Sequence, residues 1–219
     1  MIERITLAGV LPHVFEGMEG EAPLCDSQVW LRDLELHRPG RYLIEAESGT
    51  GKSSLLSFIY GNRSDYRGDI YFDDTPARSL SVEQWSRLRT DTIALLPQEM
   101  RLFPELTVLE NVWIKNRLTG YKSDSDICAM LDRVELTAKA DAPVGRLSVG
   151  QQQRVAIVRA LCQPFSFLLL DEPVSHLDAR NNSVVASMIL DEATAQGATI
   201  ISTSVGNPLA IPDATVIKL

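Results

Sequence analysis

The sequence contains one stretch, residues 41–54, whose residue types and spacing suit phosphate chemistry. It reads Arg-Tyr-Leu-Ile-Glu-Ala-Glu-Ser-Gly-Thr-Gly-Lys-Ser-Ser, so an apolar run leads into small residues and then a lysine. Glycines let backbone N–H groups curl around a phosphate, a lysine can reach the outer phosphates, and a serine hydroxyl can ligate Mg²⁺. The stretch therefore predicts a phosphate-binding loop. An ordinary Gly/Ser turn before a surface helix is the alternative.

The elements around this loop are those that a phosphate site needs. Residues 41–46 are typical of a buried strand, and Lys52 opens an apolar run that suits a helix, whose first N–H groups and dipole favour an anion. One position departs from the pattern G-x-x-x-x-G-K-[ST], because Ala46 stands where the first glycine is expected, and the loop should still form unless φ is positive there. The residues predicted to hold nucleotide are Ser48, Gly49, Thr50, Gly51, Lys52, Ser53 and Ser54.

The composition indicates a soluble globular protein. The chain has 219 residues, a formal net charge of −8 and 23% charged residues, and an acidic chain is poorly suited to binding nucleic acid. Its three cysteines are far apart and form no C-x-x-C pair, which favours a reducing compartment. We find no apolar run long enough to span a bilayer and no signal-peptide pattern, so a membrane role would need a partner.

Hydrophobic patterning predicts alternating strands and helices. The predicted strands are residues 2–7, 28–36, 41–46, 69–73, 93–96, 165–170, 198–203 and 214–219, and residues 11–26 are expected to form a loop. The predicted helices are residues 81–89, 108–114, 123–134, 147–162 and 178–193, with Ser81 and Thr107 as N-caps. This alternation predicts an α/β core with a helical insertion at about residues 99–165.

Four further motifs follow the loop in a set order. They are Gln98 after the strand 93–96, then Leu-Ser-Val-Gly-Gln-Gln-Gln-Arg-Val at 147–155, Phe-Leu-Leu-Leu-Asp-Glu at 167–172, and Ser-His-Leu-Asp at 175–178. Together with the P-loop, they resemble the ATP-binding subunit of an ABC transporter over nearly the whole chain. Residues 97–112 resemble importers as well as the lipoprotein-release, macrolide-export and FtsE-like exporters, and we favour the latter group.

The resemblance implies a fold class and a domain organisation. The fold class is α/β: a P-loop NTPase core with a mainly parallel sheet, an N-terminal antiparallel β part and a helical subdomain insertion. We expect a single ATP-binding domain over residues 1–219, with 1–98 and 165–219 forming the core and about 99–164 forming the helical subdomain.

The resemblance also implies an ATPase that uses Mg²⁺. Glu172 matches the catalytic carboxylate that polarises the attacking water. Asp171 would hold Mg²⁺ through water, and Gln98 would touch both the metal and the attacking water. Ser53, Gln98 and Asp171 are therefore the candidate metal residues, and ATP and Mg²⁺ are the expected cofactors.

A second group of residues implies a dimer around ATP. Ser148, Gly150 and Gln151 match the signature sequence, which in the family faces the γ-phosphate bound to the other subunit. Asp178 matches the D-loop aspartate, which signals across the dimer. Val149 replaces a glycine of the usual signature, and its branched side chain could crowd a close approach or point away.

Three positions have two interpretations or depart from the family. Phe15 is the best candidate to stack on adenine, although a core phenylalanine is an equal alternative. Ser204 stands where the family has a switch histidine that contacts the γ-phosphate, so we expect slow hydrolysis. We interpret His176 as a packing or surface residue.

We therefore expect an ATPase subunit that dimerises around MgATP with a second ATP-binding subunit, as a homodimer or a heterodimer. It would drive a transmembrane permease from the cytoplasmic face of the membrane, without binding nucleic acid. Met100, Leu102, Phe103 and Pro104 are expected to be exposed and to dock the permease. The alternatives are a hydrolysis-poor nucleotide-binding regulator that uses ATP mainly to dimerise, which Ala46, Val149 and Ser204 leave open, and a non-transport ABC ATPase.

Overall fold

The strands of the protein were located in a computed structural model, which describes residues 2–18, 20 and 24–219. In chain order they are β1 (Arg4–Pro12), β2 (Asp33–His37), β3 (Arg41–Glu45), β4 (Tyr66–Phe72), β5 (Thr75–Pro76), β6 (Ile93–Leu96), β7 (Phe167–Leu170), β8 (Thr199–Ser204) and β9 (Thr215–Lys218). Every predicted strand overlaps one of these, although several boundaries differ.

Six α-helices connect the strands within the described residues. They are α1 (Lys52–Ile59), α2 (Val82–Asp91), α3 (Val108–Asn116), α4 (Asp124–Arg133), α5 (Val149–Leu161) and α6 (Ala179–Ala195). Ser81 and Thr107 cap α2 and α3 as predicted, and each forms a capping box with the glutamine or glutamate three residues later. These reciprocal hydrogen bonds explain why helix starts were easier to predict than strand starts.

The strands form two sheets of different character. An antiparallel sheet has the order β2-β1-β4-β5, and a parallel sheet has the order β6-β7-β8-β3-β9. The P-loop strand β3 lies between β8 and β9. Because the strands of this sheet are parallel, the carboxyl ends of β3, β6, β7 and β8 lie along one edge. That edge is where ligands bind in open parallel sheets.

Two apolar cores cover the two faces of the parallel sheet. Leu168 and Leu170 of β7 pack into the core shared with α3, α4, α5 and α6, whereas Phe167 and Leu169 pack toward α1 and the antiparallel sheet. Because both faces of β7 are covered, its sequence is an uninterrupted apolar run. This strand carries the two carboxylates of residues 171 and 172 at its end.

The prediction of a strand over residues 28–36 was wrong in its first half. Residues 28–32 form a turn, in which Ser27 Oγ accepts hydrogen bonds from the backbone N–H groups of Val29 and Trp30 at 3.1 and 2.8 Å. Val29 and Trp30 are both buried, and consecutive strand residues would point to opposite faces. The turn lets both side chains enter the same core.

The prediction for the N-terminal region was also inaccurate. The first strand continues to Pro12, with an irregular register between Ala8 and Leu11, so the predicted loop over 11–26 begins too early. The rest of that loop contains short 3₁₀ turns at His13–Phe15 and Leu24–Asp26, and residues 19 and 21–23 lie outside the described residues.

The α/β fold class is confirmed, with an antiparallel part beside a parallel sheet. Helices α3, α4 and α5 all lie between β6 and β7, which is where the helical subdomain was expected, and the exact division of the chain stays a prediction. Within residues 2–18, 20 and 24–219, no helix has the combination of length and apolar character needed to cross a bilayer.

Candidate nucleotide site

The P-loop occupies the junction between β3 and α1, as its sequence predicts. Gly49 and Gly51 have φ of 85° and 100°, a backbone region that favours glycine. A Cβ at Gly51 would lie 2.9 Å from Trp30 Cζ2 and 3.2 Å from Phe15 Cε2, so this position also excludes a side chain. Ala46 is not among the residues with positive φ, and the missing first glycine therefore introduces no backbone strain.

Trp30 supports the P-loop from beneath, a role that sequence patterning missed. Its side chain is buried, and its indole Nε1 donates a hydrogen bond to the Thr50 carbonyl at 3.0 Å. The loop apex is thereby fixed from the core side. Sequence patterning placed Trp30 in a strand, and nothing in that pattern indicates a contact with the P-loop.

Lys52 lies inside the loop with only 5% of its side chain exposed. Its Nζ donates to the carbonyls of Ala46 and Glu47 at 3.2 and 2.8 Å, and it lies 3.8 Å from Glu172 Oε1. Burial lowers the pKa of the Lys52 ammonium, and the negative charges of Glu172 and Asp171 partly oppose that shift. An anion entering the loop would meet a poorly solvated cation.

The two carboxylates at the end of β7 have different surroundings. Asp171 is buried, and its Oδ1 accepts a hydrogen bond from Thr203 Oγ1 at 2.8 Å. Glu172 has a φ of 49°, a left-handed conformation that costs a non-glycine residue about 1–2 kcal/mol. Its backbone N–H donates to the same Thr203 hydroxyl at 3.0 Å. Thr203 thus links both acidic residues, and sequence analysis did not identify it.

A cavity of about 250 Å³ brings the predicted residues of the P-loop together with those from other strands. It is lined by Ser48, Gly49, Gly51, Lys52, Ser53, Ser54, Gln98 and Glu172. Ser53 Oγ lies 3.5 Å from Gln98 Oε1, and Ser54 Oγ accepts a hydrogen bond from Arg63 Nη1 at 2.8 Å. Thr50 is absent from the lining, because its hydroxyl turns back to donate to the Glu47 carbonyl at 2.8 Å.

The oxygen groups near this cavity fit a Mg²⁺ ion that arrives with a nucleotide. Ser53 Oγ and Gln98 Oε1 face each other across the cavity, and Asp171 is a buried carboxylate close enough to act on the Lys52 charge. In the part of the chain that the structure describes, no three His, Cys, Asp or Glu side chains are grouped to hold a metal by themselves. Mg²⁺ commonly binds through one or two carboxylates plus substrate phosphates, which agrees with this arrangement.

The signature residues lie at the start of α5 and are not part of this cavity. Ser148 is the N-cap, and it exchanges hydrogen bonds with Gln151 in a capping box. Gly150 permits close packing, because a Cβ there would lie 2.9 Å from the His176 carbonyl. Val149 is 47% exposed, so its side chain points away from the core. Asp178 caps α6, where Asn181 holds its pKa below the usual value through backbone and side-chain hydrogen bonds.

Phe15 and Ser204 lie on the flanks of the P-loop. Phe15 is half-buried beside Gly51 and packs against the core around Trp30. Ser204 is 2% exposed and ends β8, where its carbonyl accepts the Ala46 N–H at 3.4 Å. Ser204 is not among the residues that line the phosphate cavity, and it lines a separate cavity with Ala46, Glu47 and Thr50. His176 is exposed, as expected of a surface residue, and its ring lies 3.0 Å from Ser175 Oγ.

Comparisons with known proteins agree with this geometry. The profile of the family described as ABC transporter matches residues 32–175. The ABC transporter ATP-binding protein YtrE of Bacillus subtilis is 34% identical over 191 residues, which is 85% of this chain and 80% of that protein. The lipoprotein-releasing system ATP-binding protein LolD of Saccharophagus degradans is 32% identical over 75% of this chain and 73% of its own length.

Larger proteins and solved structures also match. The macrolide export ATP-binding/permease protein MacB of Rhodopseudomonas palustris is 34% identical over 86% of this chain, which spans 30% of MacB. The ATP-binding cassette MJ0796, solved as a dimer in a post-hydrolysis state with ADP and Pi, is 25% identical with a TM-score of 0.73, covering 93% of this chain and 88% of that one.

The chain therefore belongs to the ABC transporter family, and its fold and site define the class: it is an ATP-binding cassette ATPase subunit. The predicted family is confirmed, including its likeness to lipoprotein-release and macrolide-export proteins. Neither alternative, the hydrolysis-poor regulator nor the non-transport ATPase, is favoured by these relatives.

Proposed function

We propose that this chain binds MgATP in the cavity beside the P-loop and hydrolyses it to drive a transmembrane permease. The observation that carries the proposal is the convergence of Lys52, Ser53, Gln98 and Glu172 on one small cavity at the sheet edge. These residues come from the P-loop and from the ends of β6 and β7. Their convergence supplies a cation, metal-binding oxygens and a general base within one site.

The P-loop residues bind the phosphates. Backbone N–H groups from residues 48–54 and the start of α1 donate to the phosphate oxygens, and Lys52 exchanges its bonds to Ala46 and Glu47 for bonds to the outer phosphates. Ser53, Gln98 and Asp171 would hold Mg²⁺, which would supply positive charge beside the phosphates when bound.

Glu172 acts on the attacking water. Its carboxylate lines the cavity and lies 3.8 Å from Lys52 Nζ, so the base and the phosphate-binding cation face the same space. The carboxylate orients the water and accepts its proton as the γ-phosphate is displaced. Gln98 holds the opposite side of the water through its amide, and Asp171 stays buried, where its Oδ1 accepts the Thr203 hydroxyl.

A second ATP-binding subunit completes the site. Ser148, Gly150 and Gln151 at the start of α5 present a helix N-terminus, which suits an anion held by the other chain. Asp178 lies in the loop that packs against Gly150, and it transmits the arrangement of one site to the other. Phe15, beside Gly51, stacks on the adenine. The pair is a homodimer of this chain or a heterodimer with a related one, and MJ0796 was solved as a dimer.

Ser204 makes turnover slow. A serine cannot carry the positive charge of a histidine, and this one is buried against the P-loop strand outside the phosphate cavity. Glu172 remains in place, so hydrolysis is reduced but not lost. A partner chain with a histidine at this position would restore one site of a heterodimer.

The permease docks beside Gln98, and the subunit therefore sits on the cytoplasmic face of the membrane. Phe103 is 50% exposed and Pro104 is exposed, whereas Met100 and Leu102, which were also expected at the surface, are half-buried against the core. A nearby groove of about 260 Å³ is lined by Leu106, Glu110, Trp113, Ile114 and Arg117. An amphipathic cytoplasmic helix of a permease fits such a surface.

Photo-crosslinking in native membranes tests the transport part of this proposal. A photoreactive amino acid at Phe103 should capture a multispanning membrane protein. The matched control is Val216, which is 49% exposed on β9 at the opposite edge of the parallel sheet and should not capture it. Capture of only soluble proteins from Phe103, or equal capture from both positions, would count against a permease at this surface.

A further inference from the structure

The backbone of Glu172 is held in an unfavourable conformation at the point where its carboxylate enters the cavity. With a φ of 49°, this residue occupies a backbone region that residues other than glycine, asparagine, aspartate and histidine rarely adopt. Such a conformation persists only where the surroundings over-determine it. The groups that hold it therefore decide where the carboxylate points.

Two buried side chains hold the Glu172 peptide groups from opposite sides. Thr203 Oγ1, at the end of β8, accepts the Glu172 N–H at 3.0 Å. Gln153 Nε2, on α5, donates to the Glu172 carbonyl at 3.2 Å. Gln153 is 2% exposed, so its hydrogen bonds are not in competition with solvent.

The remaining bonds of Gln153 go to the same loop. Its Nε2 also lies 3.3 Å from Ser175 Oγ, and its Oε1 accepts the backbone N–H of His176 at 3.0 Å. One amide thus spans the loop from Glu172 to His176. The neighbouring turn of α5 touches this loop too, because Gly150 packs closely on the His176 carbonyl.

We propose that Gln153 is a positioning residue that fixes the Glu172 backbone and couples it to the start of α5. The proposal rests on the role proposed for Glu172. Helix α5 begins one residue after its N-cap Ser148, so Gln153 lies little more than one turn from the surface offered to the second subunit. A displacement of that helix start is carried to the Glu172 carbonyl through a single buried amide.

The surroundings of Gln153 argue against a role in packing alone. It shares the buried face of α5 with Ala156, Ile157 and Ala160, where an apolar side chain would fill the space without any need for partners. A buried amide is unfavourable unless it is hydrogen-bonded, and the bonds that satisfy this one reach only the loop that carries Glu172.

The substitution Gln153→Met tests the inference, because methionine matches the length of glutamine and lacks the amide. We expect kcat to fall about 100-fold, the effect of misplacing a reacting group by about an ångström, while the affinity for MgATP stays unchanged. Gln163→Met is the matched control. Gln163 is also a fully buried amide, and its Nε2 donates to the carbonyls of Arg89, Ile93 and Pro164, away from the cavity.

The control separates positioning from general destabilisation. Both variants lose a buried amide, and thermal unfolding of each is measured beside its kcat, but only Gln153→Met should lose turnover. Equal losses of kcat in the two variants, or normal kcat in Gln153→Met, would overturn the inference.

Gln153→Glu identifies the bond that matters, and it remains informative if the methionine variant does not fold. An ionised glutamate keeps an acceptor for the His176 N–H but has no hydrogen to donate to the Glu172 carbonyl, so turnover is measured up to the highest pH at which the parent is active. We expect turnover as low as in Gln153→Met. Restored turnover would overturn the assigned role, since the loop contact at His176 would then be sufficient.

Glu172→Gln, assayed in parallel, distinguishes the two proposals. If it loses turnover and Gln153→Met does not, only the positioning role fails. If Glu172→Gln hydrolyses ATP like the parent, the proposed role of Glu172 fails, and the positioning role fails with it.

Discussion

The phosphate cavity and the start of α5 differ in how many of their side chains are held by contacts within one chain. At the phosphate cavity, Lys52, Asp171 and Thr203 are buried and bonded to groups from other elements. At the start of α5, Ser148 is exposed and its side chain bonds only to Gln151 of its own helix. Asp178 is likewise exposed and bonds to Asn181.

This difference separates nucleotide binding from turnover. A buried, cross-linked cavity is preorganised and should bind MgATP within a single chain. A helix start that presents its free N–H groups outward has no fixed ligand within its own chain, so it can act only when a second subunit brings one. Substitutions in the first region should change binding or chemistry, and those in the second should change dimerisation.

The largest effect is expected for Glu172→Gln, which removes the general base. Turnover should fall about 100- to 10,000-fold, while MgATP still binds, because glutamine retains the shape of the side chain and removes a negative charge near the γ-phosphate. Single-turnover ATP hydrolysis and calorimetric titration measure the two quantities. If the variant hydrolyses ATP as fast as the parent protein, another residue is the general base and Glu172 has no role in the chemistry of the phosphate cavity.

Lys52→Ala should mainly affect binding. Truncating one partner of a buried charge interaction costs about 2–5 kcal/mol, which corresponds to a roughly 30- to 4,000-fold weaker Kd for MgATP. Calorimetric titration is the measurement, and Lys218→Ala, which changes an exposed lysine on β9, is the control. An unchanged affinity of Lys52→Ala for MgATP would show that the P-loop does not bind the phosphates.

Ser204→His should have the smallest effect and the opposite sign. A preorganised donor is worth about 100- to 1,000-fold in rate, and we expect a gain of only about tenfold because residue 204 lies outside the cavity. ATP turnover of the isolated chain is the assay. If the parent already exceeds the histidine variant, Ser204 is not a defect and the switch role lies elsewhere.

The sequence predicted the parts of this molecule that local chemistry determines. The P-loop glycines, the helix caps at Ser81 and Thr107, and the apolar strand before Asp171 each carry a signal within a few residues. Strand boundaries were less accurate, and the strand expected over residues 28–32 is a turn, because the burial of both Val29 and Trp30 is decided by tertiary packing.

The supporting residues of the site could not be found in this way. Trp30 reaches Thr50 across 20 positions, Gln153 reaches Glu172 across 19, and Thr203 reaches Asp171 across 32. Each bond depends on the packing of separate elements, and nothing in the neighbouring sequence marks it. A buried polar residue on the apolar face of a helix, as at Gln153, is the one pattern that could have raised the question.

The most direct test of the central claim is the mass of the Glu172→Gln chain in solution, measured by light scattering with saturating MgATP. We predict the mass of two chains with MgATP and of one chain without it. Adding Ser148→Arg, which blocks the start of α5, should return the protein to a single chain while MgATP still binds with unchanged affinity. A dimer that persists despite Ser148→Arg would contradict the division of the site between two subunits, and a single chain at saturating MgATP would exclude the homodimer.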